Sequence, residues 1–234
     1  LVLSDIHAPY HDIPAINAAI NYGKTHKVNT IFLNGDIIDC AQLSRFEKDP
    51  KARNFVEEVE ITIKLLTSIR NAFPKSKIVW LKGNHDIRYE KFLYNKAPEL
   101  FDDSYYKLEE RLGLNNFKID ILDDDTLVYA GNLIMTHGHL NIKGIFAPVN
   151  PARGVFLKAK TSLLIGHCHQ VSEHTETTLK GKLISCWSTG CLCTLYQPYD
   201  PHNTKHSHGF AHVTVQKNGD YSVYNKRIFN GVIL

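Results

Sequence analysis

Five short apolar runs recur along the chain, each ending in polar residues: LVLSD (1–5), TIFLNGD (30–36), KIVWLKGN (77–84), LIMTHG (133–138) and SLLIGH (162–167). Runs rich in Ile, Leu and Val and bounded by Gly, Asn or Asp predict buried strands. Between the first three lie segments of helical period. Ile13 to Lys24 carries Ala and Ile at helical spacing behind a proline near its start, and Phe55, Val59, Ile63, Leu66 and Ile69 form one stripe over 55–69. This alternation predicts a parallel sheet with right-handed crossovers. From Ile87 to Leu114 the pattern turns polar, aromatic and helical, which predicts an inserted helical cap. Thr126–Ala130, Lys182–Cys186, Ala211–Gln216 and Tyr221–Asn225, joined by turn residues such as Asn218-Gly219, predict antiparallel strands. The expected fold is α/β, two packed sheets with helices outside, in a single domain over 1–234.

Composition narrows the class. At 43% hydrophobic and 22% charged residues, 234 residues suffice for a well-buried core, and no run approaches the roughly 18 apolar residues of a membrane span. A cytoplasmic protein without membrane contact is expected. The five cysteines make no disulfide framework, so reduced thiols are expected, with Cys191 and Cys193 only a weak ligand pair. Charge is uneven: residues 1–125 sum to −3 and 126–234 to +6, which points to an anionic partner.

The stretch LLIGHCHQ (163–170) places two histidines around a cysteine. If the strand runs on through the triplet, side chains alternate, so His167 and His169 share one face and Cys168 turns into the core. Their partners then lie elsewhere. In each of the five runs the polar residues stand at the C-terminal end, where open α/β sheets form their ligand crevice. In order they read Asp5-x-His7, Gly35-Asp36-x-x-Asp39, Gly83-Asn84-His85-Asp86, Thr136-His137-Gly138-His139 and Gly166-His167-x-His169.

These five blocks resemble, in order, the signature of the calcineurin-like metallophosphoesterase superfamily: DxH, GDxxD, GNHD or GNHE, a later His before Gly, and GHxH. The resemblance implies the family's four-layer sandwich of two mixed sheets between helices. It also implies two metal sites, Asp5, His7, Asp36 and His169 in one, Asp36, Asn84, His137 and His167 in the other, with Asp36 bridging. Mixed imidazole, amide and carboxylate ligands suit Mn, Fe or Zn, with Mn expected. Two dications against two anionic ligands leave a positive surplus that draws a phosphate ester and favours attack by a metal-bound hydroxide on phosphorus. The family places His85 near the leaving group, where it can act as general acid with Asp86 fixing its tautomer.

Departures from the pattern bear on substrate. The protein Ser/Thr phosphatase branch reads GDxxDRG, whereas Cys40 and Ala41 follow Asp39 here, so that branch's phosphate-clamping arginine is missing. Arg88 or Arg153 is the substitute, and His139 is a second substrate-binding residue. GNHD with THGH is more similar to the compact bacterial, archaeal and phage phosphodiesterases. A small phosphodiester, with some monoester, is therefore the expected substrate. A nuclease acting on DNA or RNA is the alternative, and a non-catalytic scaffold on the same fold the third reading. Asp39 is either a partner of a ligand histidine or a turn carboxylate. Asp123–Asp125 reads as a solvated turn, His202, His206 and His208 as polar loop residues, and Tyr105 and Tyr106 as core aromatics.

Overall fold

The computed structural model describes residues 1–45, 54–141, 149–196 and 205–234. A seven-stranded sheet is built from β1 (Val2–Leu3), β2 (Thr30–Asn34), β3 (Lys77–Leu81), β4 (Ile119–Leu122), β10 (His208–Val215), β11 (Tyr221–Phe229) and β12 (Val232–Ile233), in the order β12-β11-β10-β1-β2-β3-β4. Its β1 to β4 are parallel, and β10 to β12 extend it antiparallel. A five-stranded sheet holds β5 (Val128–Ala130), β6 (Leu133–Thr136), β7 (Leu163–Ile165), β8 (Val171–Thr177) and β9 (Leu183–Thr189), in the order β5-β6-β7-β9-β8.

Alternation along each strand sorts the side chains into layers. Leu3, Ile31, Leu33, Ile78 and Trp80 face outward onto helices α1 (Ile13–Thr25) and α2 (Phe55–Ala72), while Val2, Phe32 and Leu81 face inward and meet Leu133, Met135, Leu164 and Trp187 of the second sheet. On the far side, Leu163, Ile165 and Cys186 pack against Ala152 and Val155 of α6 (Pro151–Ala159). The expected two mixed sheets flanked by helices are therefore present. Each long helix has a local reason to start. Asp12 caps α1 by accepting from Ala15 N–H, with Pro14 in the first turn, and Asn54 caps α2 by accepting from Glu57 N–H. Short helices α3 (Arg88–Lys96), α4 (Leu108–Leu112) and α5 (Leu114–Phe117) occupy the stretch between β3 and β4.

Three expectations need correction. The strand 182–186 was expected to be antiparallel, but β9 runs parallel to β7 and pairs antiparallel only with β8. Strand β8 itself, VSEHTET, escapes prediction because it is an edge strand with little buried surface and lacks an apolar alternation. The run through LLIGHCHQ stops at Ile165, so no strand alternation orients His167 and His169. Both instead adopt left-handed backbone conformations, and Cys168 is half-buried against the outer layer. Among the described residues no helix is long and apolar enough to cross a membrane.

Candidate metal centre

All five strands end before their ligand residues begin, so the ligands stand on loops at the C-terminal ends of strands in both sheets. Asp5, His7, Asp36, His167 and His169 have φ between 49° and 62°, a conformation that costs a non-glycine residue about 1–3 kcal/mol. The turn throws each side chain into the crevice instead of along the sheet. The loops interlock closely. A Cβ on Gly83 would fall 2.3 Å from Asp36 Oδ1 and one on Gly166 would fall 1.9 Å from Ser4 Oγ, which is why glycine precedes Asn84 and His167.

Seven residues converge there. Asp36 Oδ2 lies 3.1 Å from His137 Nε2 and 3.7 Å from His7 Nε2, so one carboxylate oxygen stands between two sets of imidazoles. On the first side, His169 Nε2 is 3.3 Å from Asp5 Oδ1 and 3.2 Å from His7 Nε2. On the second, Asn84 Oδ1 is 3.3 Å from His137 Nε2, and Asp36, His137 and His167 bring ligand atoms within 4.8 Å of one another. His137 Nδ1 donates to Asn34 O at 2.8 Å and His7 Nδ1 to Asp39 Oδ1 at 2.8 Å, which turns both Nε2 atoms into the cluster. Two imidazole nitrogens facing each other beside buried carboxylates are a setting that a cation satisfies, so this donor set fits divalent metal.

The electrostatics agree. Burial opposes charge, yet Asp36 raises His137 to about 9, and His169 with His137 holds Asp5 down to about 2. Burial and the neighbouring His137 lower His167 to about 4, leaving it neutral and ready to ligate. Binding of metal at His137 or His169 would therefore displace a proton.

The supporting residues differ from expectation. Asp86 does not touch His85. Fully buried, it accepts from Gly83 N (2.7 Å), Asp36 N (2.8 Å), Ile37 N (3.0 Å), Ile38 N (3.1 Å) and Trp80 Nε1 (3.1 Å), tying the Asp36 and Asn84 loops together. The tautomer-fixing bond belongs to Asp39, whose Oδ1 is 2.8 Å from both His7 Nδ1 and His85 Nδ1. Arg88 donates from Nη1 to Asp39 O at 3.0 Å and from Nη2 to His85 Nε2 at 3.0 Å, so His85 carries its proton on Nδ1.

His139 Nε2 pairs with Asp124 Oδ2 at 3.0 Å, and its ring stands 5.5 Å from that of His137. Asp123 pairs with the nearly buried Lys82, so this turn is more than solvated carboxylates. Arg153 is exposed on the first turn of α6, and Tyr105 is exposed. His206 lies 4.5 Å, ring to ring, from His169, His208 Nε2 donates to Cys193 O at 2.8 Å, and His202 lies outside the described residues. Ser4 was missed. Its hydroxyl donates to Asp5 Oδ2 at 2.5 Å, and only its place directly before the first ligand could have flagged it.

Two buried groups show what the packing demands. Glu58 is fully buried, and burial with the Asp39 charge pushes it up to about 8 against the opposing pull of the Ala41 and Cys40 backbone N–H groups. Burial and Asp36 likewise push Asp86 up to about 6, against its N–H donors.

A family model for the calcineurin-like phosphoesterases matches residues 1–188. The chain belongs to that family and is a metal-dependent phosphoester hydrolase. Among curated proteins it is similar to the Gene 54 protein of Mycobacterium phage L5, 27% identical over 185 residues that cover 75% of this chain and 71% of that one. Among solved structures it is similar to YfcE, a phosphoesterase from E. coli (14% identity, TM-score 0.44, covering 90% of this chain and 85% of that one). A dimetal phosphatase from Danio rerio (12%, 0.42, 92% and 92%) and nuclease MPE from Pseudomonas putida (13%, 0.36, 82% and 72%) are also similar.

Proposed function

We propose that this chain hydrolyses small phosphodiesters, and some monoesters, with two divalent ions between its sheets, manganese being the favoured metal. The reading rests above all on the position of Asp36 Oδ2 between His7 and His137. Asp5, His7, Asp36 and His169 would hold one ion, and Asp36, Asn84, His137 and His167 the other. Such a pair supplies charge neutralisation on the phosphoryl oxygens and a lowered pKa for a nucleophilic water.

The residues around that pair divide the remaining work. Asp39 holds the Nδ1 proton of His85 and so keeps Nε2 facing the crevice. Arg88 occupies Nε2 at rest, and its turn towards a substrate phosphate frees that lone pair to take up a proton from water; the imidazolium so formed, paired with Asp39, delivers that proton to the leaving oxygen. Arg88 is thus the substrate-binding arginine and His85 the acid, while His139 lines the second-metal side. A monoester's extra negative charge gains little, because Cys40 and Ala41 stand after Asp39, where the Ser/Thr phosphatase branch carries its phosphate-clamping arginine. A diester, whose leaving oxygen needs the acid, gains most.

The test compares kcat/KM for an aryl phosphodiester, its monoester and a single-stranded oligonucleotide at two salt concentrations, alongside elemental analysis. About two metals per chain and a diester preference are expected. A monoester advantage above tenfold would overturn the substrate class, and rapid, salt-sensitive cleavage of the oligonucleotide would favour a nuclease. His85→Asn should steepen the dependence of rate on leaving-group pKa, with losses of about 100- to 10,000-fold for poor leaving groups. An unchanged slope removes His85 from the acid role.

A further inference from the structure

Each ligand histidine with a visible rear contact leans on a different acceptor. Behind His7 stands the Asp39 carboxylate, behind His137 the Asn34 carbonyl, and behind His169 the thiol of Cys193, with Sγ 3.8 Å from Nδ1. We infer that Cys193 is a positioning residue for the first metal site, its sulfur accepting a hydrogen bond from His169 Nδ1–H so that Nε2 faces Asp5 and His7.

The geometry distinguishes this role from ligation. His169 Nε2 is the nitrogen turned to Asp5 Oδ1 and His7 Nε2, and the lone-pair directions of the two imidazole nitrogens diverge to opposite sides of the ring. Although His7, His169 and Cys193 bring ligand atoms within 4.8 Å of one another, the sulfur's contact is with Nδ1, on the far side of the ring from a cation held on Nε2. Taking the Nε2 lone pair also leaves the ring proton on Nδ1, which makes the sulfur the acceptor. The sulfur is fully buried, so water does not replace it.

The segment that carries Cys193 is itself fixed to the site. Leu192 N donates to Asp5 O at 3.0 Å, Thr194 N to Tyr10 O at 2.8 Å, and His208 Nε2 to Cys193 O at 2.8 Å. Cys191 N donates to Ser207 O at 3.1 Å, and Ser207 N to His169 O at 2.8 Å. The segment therefore holds the main chain of Asp5 and the ring of His169 directly, and reaches the main chain of His169 through Ser207. A side chain present only to fill space would not need its polar atom aimed at the one rear nitrogen there.

The inference rests on the proposed metal site, and the experiment separates the two. Cobalt(II) is titrated into metal-free wild type, Cys193→Ala and Cys193→Ser, following affinity by calorimetry and the near-ultraviolet spectrum. Alanine should weaken one binding step about 10- to 100-fold, the usual effect of losing a ligand's hydrogen-bond partner. Serine, whose hydroxyl still accepts, should recover most of it. Equal affinities in wild type and alanine, or equal losses in both variants, would overturn positioning in favour of packing. A sulfur-to-cobalt band in wild type that vanishes in both variants would make Cys193 a ligand and overturn the inference too. Wild type that binds no cobalt would instead reject the metal site. Should neither variant fold, wild type loaded with zinc still decides: a slowly exchanging His169 Nδ1–H in the proton–nitrogen NMR spectrum is expected, and a bare Nδ1 overturns the proposal.

Discussion

The seven-stranded sheet delivers Asp5, His7, Asp36 and Asn84 to the crevice, whereas the five-stranded sheet delivers only the imidazoles His137, His167 and His169. The first set is braced mainly from within its own half, by Ser4 on Asp5, by Asp39 on His7 and by Asp86 on the Asp36 loop, with one brace from the other half where His167 N donates to Asp5 Oδ2 at 2.9 Å. The second set leans across: His137 on Asp36 and Asn34, His169 on Asp5 and, through its rear nitrogen, on the segment that carries Cys193. The carboxylate half is thus a frame, and the imidazole half is docked onto it by charge. Damage to the frame should reach both halves, while damage to an imidazole should stay local.

The largest effect should come from Asp36→Asn, which removes the anion shared by both sides. A loss in kcat/KM of about 1,000-fold or more is expected, as several kcal/mol of charge stabilisation implies, together with loss of both ions on dialysis. Retention of one tight ion would show the halves to be independent. Asp86→Asn comes next. Its amide N–H would confront backbone donors, so urea denaturation should show a loss on the order of 3 kcal/mol even without metal. A change confined to activity would mean that Asp86 braces nothing.

Asp39→Asn keeps an acceptor oxygen and should cost only about 10- to 100-fold in activity and in affinity for one ion. If it matched Asp36→Asn, the frame would have two equal pillars. The change that is most gradual, unit by unit, is a slope with pH. Because Glu58 is held near 8 in the folded protein against an ordinary value of 4.5, its protonated form favours folding, and that contribution is lost as pH rises from about 4.5 to 8. Glu58→Gln cannot ionise, so its stability relative to wild type should grow by at most about 1.4 kcal/mol per pH unit over that window and level off above it. A flat difference would show that Glu58 is ionised when folded.

Much of the frame was legible because its ligands close apolar runs, where a parallel sheet gathers them whatever their separation in sequence. The order of blocks from Asp5 to His169 gave the site, and the runs rich in Ile, Leu and Val gave the buried strands. Bracing was not legible in the same way. Three of the five donors to Asp86 are main-chain amides about fifty residues upstream, and main-chain donors leave no mark in residue identity. Asp39 and Asp86 look equivalent as letters, so only the fold decides which one meets His85. The parallel direction of β9 was hidden for a related reason: direction follows from which strand lies alongside, and β7 is its neighbour in space while β8 is its neighbour in the chain.

The left-handed backbone at five ligand positions carries a lesson for anyone transplanting this centre. Copying the seven side chains onto the ends of ordinary extended strands would reproduce the list of atoms but aim them along the sheet, since the curl that points them inward belongs to the main chain. Asp and Asn tolerate that curl better than most residues, whereas Val, Ile and Thr resist it. Libraries that exchange ligands at 5, 7, 36, 167 and 169 should therefore be filtered by backbone as well as by chemistry, with aspartate and asparagine as the substitutions that keep the curl within reach.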